Sequence, residues 1–63
     1  MCLSTAYKLE SGSRVMLGNY IAGVSVDHEN IVLTTLMGEE IKLTGTLKSV
    51  DLIKNEIEIC AES

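Results

Sequence analysis

Ile31-Val32-Leu33-Thr34-Thr35-Leu36 is the stretch that decides the fold. Ile31, Val32, Thr34 and Thr35 are β-branched, so their side chains are restricted in a helix and pack well on a pleated surface. Turn signals bound the run on both sides. Asp27-His28-Glu29-Asn30 reads as a polar four-residue hairpin loop before it, and Met37-Gly38-Glu39-Glu40 as a turn after it.

Working outward, the same period of two continues. Ile41 to Val50 predicts a longer strand, with Gly45 midway marking a bend that lets one strand serve two sheets. Ile41, Leu43 and Leu47 are expected to face inward, and Val50 and Leu52 after the bend. Lys54-Asn55 turns the chain, and Glu56-Ile57-Glu58-Ile59-Cys60 alternates again, with Ile57 and Ile59 inward and Cys60 opposite. Toward the N-terminus, Tyr20, Ala22, Val24 and Val26 share one face, and Gly23 marks a bulge or a close backbone approach. Gly18-Asn19 ends a short strand over Arg14 to Leu17, and Glu10-Ser11-Gly12-Ser13 is a turn by composition. In the first segment Leu3, Thr5, Tyr7 and Leu9 alternate with Cys2, Ser4, Ala6 and Lys8.

No long stretch repeats at the helical spacing. The reading is an all-β meander of five to seven short antiparallel strands, with residues 1–63 forming a single small domain. Such a meander removes its exposed edges by curling up, and an SH3-like barrel is the expected result.

Size and charge narrow the function. The chain has 63 residues with no Pro, Phe or Trp, two Tyr and five Gly. A core this small barely offsets the entropy of ordering the chain, so a staple is expected: a disulfide, a metal or a partner subunit. An enclosed substrate pocket needs more walls than this length supplies, and no catalytic constellation can be assembled, so the chain reads as a non-enzyme. Nine acids against five bases give a net charge of −4, which disfavours nucleic acid and anionic membrane surfaces. Lys8, Arg14, Lys42, Lys48 and Lys54 are spread along the chain. Only Tyr7 and Tyr20 could stack on bases, and packing of one or both in the core is expected. No apolar run approaches a membrane span, and the N-terminus lacks a basic segment followed by an apolar one. A cytoplasmic protein is the expectation.

Few side chains offer chemistry. Cys60 lies near the C-terminus and reads as incidental. A Cys2–Cys60 disulfide would close almost the whole chain, but a cytoplasmic setting argues against it. His28 sits between Asp27 and Glu29, where imidazole and carboxylate could ligate a metal, although such a loop histidine is ordinarily solvated. Glu39-Glu40 reads as a solvated turn. Cys2 differs because a thiolate beside the chain terminus has main-chain nitrogens within chelating reach. With Met1 retained, the Met1 amine and the Cys2 amide join the sulfur; with Met1 removed, the Cys2 amine does. Either mixed nitrogen–thiolate set suits Ni(II) or Cu(II) in planar geometry. Two chains related by a two-fold axis near their N-termini would complete such a site and supply the staple.

Three blocks point to a family. Met1-Cys2-Leu3-Ser4-Thr5-Ala6-Tyr7, Leu33-Thr34-Thr35-Leu36-Met37-Gly38-Glu39-Glu40, and Gly45-Thr46-Leu47-Lys48-Ser49-Val50-Asp51-Leu52 with Asn55 resemble, in this order, the CooT family of small bacterial and archaeal proteins. The resemblance covers nearly the whole chain. It implies a small SH3-like barrel that pairs as a homodimer and binds Ni(II), acting as a nickel store or metallochaperone for a nickel-enzyme client such as carbon monoxide dehydrogenase. It places the metal at Cys2, with Met1 or Leu3 giving main-chain nitrogen only. The alternative from another class is an RNA-binding or protein-interaction barrel with no metal role.

Overall fold

A computed structural model gives the structure of residues 3–61. Five strands follow one another: β1 (Ser4–Glu10), β2 (Ser13–Asp27), β3 (Asn30–Thr35), β4 (Glu40–Asp51) and β5 (Glu56–Ala61). They close into a barrel in chain order. The expected small barrel therefore forms with the lower of the anticipated strand numbers. Pairing is antiparallel except at the closing seam, where β1 and β5 run parallel from Thr5↔Glu56 to Leu9↔Cys60. An odd number of up-and-down strands leaves the first and last pointing the same way, so this one departure from antiparallel pairing follows from closure.

Two long strands each serve two partners. β4 pairs with β3 from Glu40 to Thr44 and with β5 from Gly45 to Asp51, so the handover falls at Gly45, where the sequence places a bend. Gly45 is buried, and its N–H donates to the Glu29 carbonyl at 2.8 Å. β2 pairs with β1 as far as Ile21 and with β3 from Ile21 onward. Where the sequence predicts two strands parted at Gly18-Asn19, the structure has one continuous strand of 15 residues. Register shifts between Ser4 and Ala6, between Ala6 and Tyr7, and between Ile21 and Gly23 absorb the irregular residues as bulges instead of a turn.

The core is Ala6, Ile21, Ile31, Leu33, Ile57 and Ile59, with Leu17, Ile41, Leu43 and Leu47 packed against it. Among the described residues, only Ile31, Leu33 and Ile59 are large side chains with essentially no exposure. The buried face of β1 is the small one, Ser4 and Ala6, because Ala6 lies opposite Ile57 across the parallel seam, where a larger side chain would have little room. Val50 and Leu52, expected inside, are 45% and 75% exposed. Val50 lies opposite Ile57, but it stands at the end of the barrel where few strands remain to cover it. Leu52 has already passed into the turn beyond β4. Val24 and Val26 share a face as expected, yet that face is not sealed and both remain accessible.

The turns are short. Ser11 and Gly12 both take positive φ (46° and 82°) between the paired Glu10 and Ser13, the geometry that matches the twist of a two-residue hairpin. Asp27 and Asn30 are paired in register, so the expected four-residue loop tightens to His28-Glu29, with His28 at φ 58°.

Candidate functional site

The N-terminal segment enters the barrel at Ser4, which is buried and opposite Ile21. Leu3, the first described residue, is half-buried and precedes the first strand. Met1 and Cys2 lie outside the described residues, so what the structure gives is the setting into which they lead.

Two turns frame that point. The β4–β5 turn is tied to the start of β1, because the Thr5 N–H donates to the Asn55 carbonyl at 2.9 Å. Within it, Asp51 Oδ1 accepts from the N–H groups of Lys54 at 2.9 Å and Ile53 at 3.0 Å. These bonds, the one from Lys54 foremost, hold the Asp51 carboxyl below its ordinary value, and the Lys54 charge adds to the effect. The turn exposes Leu52 and, almost completely, Ile53. On the other side, the β3–β4 turn is tied to Tyr20, whose carbonyl accepts the Leu36 N–H at 2.8 Å. Thr35 organises this turn: its N–H donates to the Glu39 carbonyl at 2.8 Å, its carbonyl accepts the Gly38 N–H at 3.0 Å, and its Oγ1 accepts the Glu39 N–H at 3.1 Å. Tyr20 itself has φ 57°, a left-handed conformation rare for an aromatic residue, and its side chain is exposed. Leu36 and Met37 are exposed beside it.

The end of the barrel where β1 begins is thus rimmed by uncovered apolar side chains: Tyr20 on β2 beside Leu36 and Met37 of the β3–β4 turn, and Leu52 and Ile53 on the β4–β5 turn. Neither Tyr7 nor Tyr20 belongs to the core, which corrects the expectation that one or both pack there. Beside Tyr20, Ile21 takes the inward position.

The other candidate residues lie elsewhere. His28 is at the tip of the β2–β3 hairpin, highly exposed, with Nε2 3.7 Å from Asp27 Oδ1. Glu39 and Glu40 are exposed, as the sequence suggests. Cys60 is a free, exposed thiol in register with Leu9. That is four residues along the seam from the Thr5↔Glu56 rung, about 13 Å at strand rise. Among the described residues no three His, Cys, Asp or Glu side chains come together as a metal could use them.

The bases are largely engaged. Lys8 is 3.3 Å from Glu10, Lys42 is 3.9 Å from Glu40, and Arg14 reaches both Glu56 at 3.4 Å and Glu58 at 3.3 Å. Arg14 also covers Tyr7, so that ring is not a free stacking platform. Among the described residues no helix is long and apolar enough to cross a membrane.

Sequence reasoning missed two features of this end. The Asp51 turn carries a readable signal, an aspartate whose side chain can accept from the N–H groups two and three residues on. The left-handed Tyr20 carries none, because its conformation comes from the bulged pairing of β2 with two different strands.

Comparison with known proteins settles the relationship. The family model described as CO dehydrogenase accessory protein CooT matches residues 1–60. The chain belongs to the CooT family. A crystal structure assigned to CooT of Carboxydothermus hydrogenoformans superposes with a TM-score of 0.88, covering 98% of this chain and 100% of the other. The two sequences are only 14% identical, so this likeness speaks to the CooT barrel and not to residue roles. No curated protein matches the sequence.

Proposed function

We propose that this CooT-family chain is a nickel-binding accessory protein that holds Ni(II) for a nickel-enzyme client, carbon monoxide dehydrogenase being the enzyme in the family's description. The observation that carries the reading is the family match over residues 1–60, which includes Cys2. The metal is the cargo, and the donor chemistry fits it. Cys2 supplies a thiolate, and Met1 or Leu3 supplies main-chain nitrogen, a strong-field mixture that favours planar Ni(II). The thiolate and any amide donor must lose protons before they bind, so affinity falls as the pH is lowered.

One chain has too few such donors to saturate the ion. Two chains meeting near their N-termini complete the set, and the homodimer covers apolar surface that a small core leaves open. The exposed Tyr20, Leu36, Met37, Leu52 and Ile53 at the end of the barrel where β1 begins support such a contact. A nickel store or donor of this kind performs no bond chemistry: it binds, holds and releases. The RNA-binding alternative has less support, since Lys8, Arg14 and Lys42 are paired with acids.

Native mass spectrometry of the wild type and Cys2→Ser, titrated with nickel from substoichiometric amounts, tests the reading. One nickel per two chains, lost in the variant while the barrel stays folded, is the expected result. A wild-type protein that takes up no nickel removes the metal role and leaves a protein-interaction barrel.

A further inference from the structure

β3 runs antiparallel beside β2 from Asp27↔Asn30 to Ile21↔Thr35 and then leaves it, its last tie being the Leu36 N–H to the Tyr20 carbonyl at 2.8 Å. The line it was following continues beside Asn19 and back to Ser13. Along that line β2 pairs with β1 on one side and has no partner strand among the described residues on the other. The stretch is a sheet edge about 20 Å long, with outward main-chain groups that a further strand could pair.

Open edges invite unwanted pairing, and the other long strand is guarded against it. β4 carries Glu40 and Lys42 where it pairs with β3 alone, and Lys48 at the register shift where it pairs with β5 alone. β2 has no such guard. Val15-Met16-Leu17-Gly18-Asn19-Tyr20 is free of charge, and Val15 and Met16 are 44% and 58% exposed. Charge stands only at the ends of this edge. Arg14, at one end, is turned across β1 and already committed to Glu56 and Glu58. At the other end, Glu39 is exposed on the β3–β4 turn, its carbonyl bonded to the Thr35 N–H, about one strand spacing from the end of β3. Among the described residues it has no ion-pair partner, since the nearby Lys42 lies by Glu40.

We propose that this edge of β2 docks an extended segment of the client protein as an added strand, with an uncharged, β-branched body and a lysine or arginine at its first residue. The added strand takes over the direction of β3, antiparallel to β2, so that its first residue lies at the Glu39 end. Main-chain bonds along the edge supply affinity, and the cation opposite Glu39 sets register and direction. A second copy fits less well. Two-fold pairing of two β2 edges brings Glu39 of one copy to the Arg14 end of the other, where no free cation meets it. The identity of the partner rests on the accessory-protein reading above, whereas the edge itself does not.

The test is an NMR titration of the full chain, following backbone amide shifts, with the peptide acetyl-Lys-Thr-Val-Thr-Val-Thr-amide. Shifts confined to the amides of Ser13 to Asn19 and of the β3–β4 turn are the expected result. A peptide with proline in place of both valines should leave these amides unmoved, because it cannot pair along the edge. Glu39→Gln, a change on an exposed turn that leaves the barrel folded, should weaken binding about threefold, the size of an exposed ion pair. Shifts elsewhere, no shifts, equal binding of the proline peptide or unaltered binding in Glu39→Gln each overturn the proposal. Shifts along the edge that grow with protein concentration in the absence of peptide assign it to a second copy and overturn it as well. Nickel uptake is read separately. Its failure removes the metal reading and leaves the docking edge standing, whereas a silent edge in a nickel-binding protein does the reverse.

Discussion

The Arg14 guanidinium lies 3.9 Å from the centre of the Tyr7 ring. From there it reaches across β1 to Glu56 and Glu58 on β5, and Glu58 in turn accepts the Ser49 hydroxyl at 3.1 Å. Arg14 thus ties together the outer surface of three strands, including the parallel seam that closes the barrel, and the Ser49–Glu58 bond extends the network to β4. Arg14→Ala removes the stacking and leaves two carboxylates uncompensated on adjacent outward positions. The side chains are partly exposed, so the expected loss is about 0.5–1.5 kcal/mol, shrinking as salt is raised. Urea unfolding at low and high salt measures it. A Tyr7→Leu, Arg14→Ala double-mutant cycle isolates the stacking energy.

Gly18 is held small by one neighbour. A Cβ there would meet Ile41 Cδ1 at 2.9 Å, too close for both to stay in place. Because the obstacle is the end of a flexible side chain, Gly18→Ala should cost about 1 kcal/mol, at the low end for overpacking. Ile41→Val deletes that methyl group, so Gly18→Ala should cost markedly less in an Ile41→Val background. Additive losses in thermal unfolding of the two singles and the double would contradict the contact.

Tyr20 invites a stabilising change. Its left-handed backbone is strained for a β-branched or bulky residue, and its exposed ring supports little of the core. Tyr20→Gly should leave stability unchanged or raise it by about 0.5–1 kcal/mol, whereas Tyr20→Val should lower it by about 1–2 kcal/mol. The change in denaturation midpoint separates the two. If the rim of the barrel is a protein contact, Tyr20→Gly weakens self-association even as the single chain becomes firmer.

Asp51 gives the fold an acid-sensitive turn. Its folded-state carboxyl is depressed by the Lys54 and Ile53 N–H groups, so its contribution is fully present above the unfolded value. That contribution is lost as the pH falls from about 4 through the lower, folded value. Asp51→Ala should therefore melt below the wild type at neutral pH, with the difference closing as the medium is acidified. A difference in melting temperature that stays constant between pH 6 and pH 2 would remove this role.

The strands were legible wherever one local rule was enough. Ile31 to Leu36 carries β-branched residues between turn signals, and Gly45 sits at the handover of β4 from β3 to β5. What periodicity could not show is where a strand leaves the barrel. Val50 keeps the expected alternation and still stands half in solvent, because its cover depends on how far β5 and its neighbours extend. Gly18-Asn19 read as a break because a bulge and a turn draw on the same residues, and only the partner strand distinguishes them. At the candidate site the chemistry of Cys2 was readable from its neighbours in sequence. The setting of the start of β1 was not: Tyr20 and the β4–β5 turn reach it only after segments far apart along the chain have paired.

The parallel seam also orders events in time. Thr5 to Leu9 are synthesised well before Glu56 to Cys60, so the barrel cannot close until β5 has emerged behind all the intervening strands. The same geometry sets a rule for re-engineering the molecule. Because β1 starts at one end of the barrel and β5 finishes at the other, a circular permutant joining them must run back along the wall. A splice of two or three residues would tear the seam open, while one of about six or more could span it.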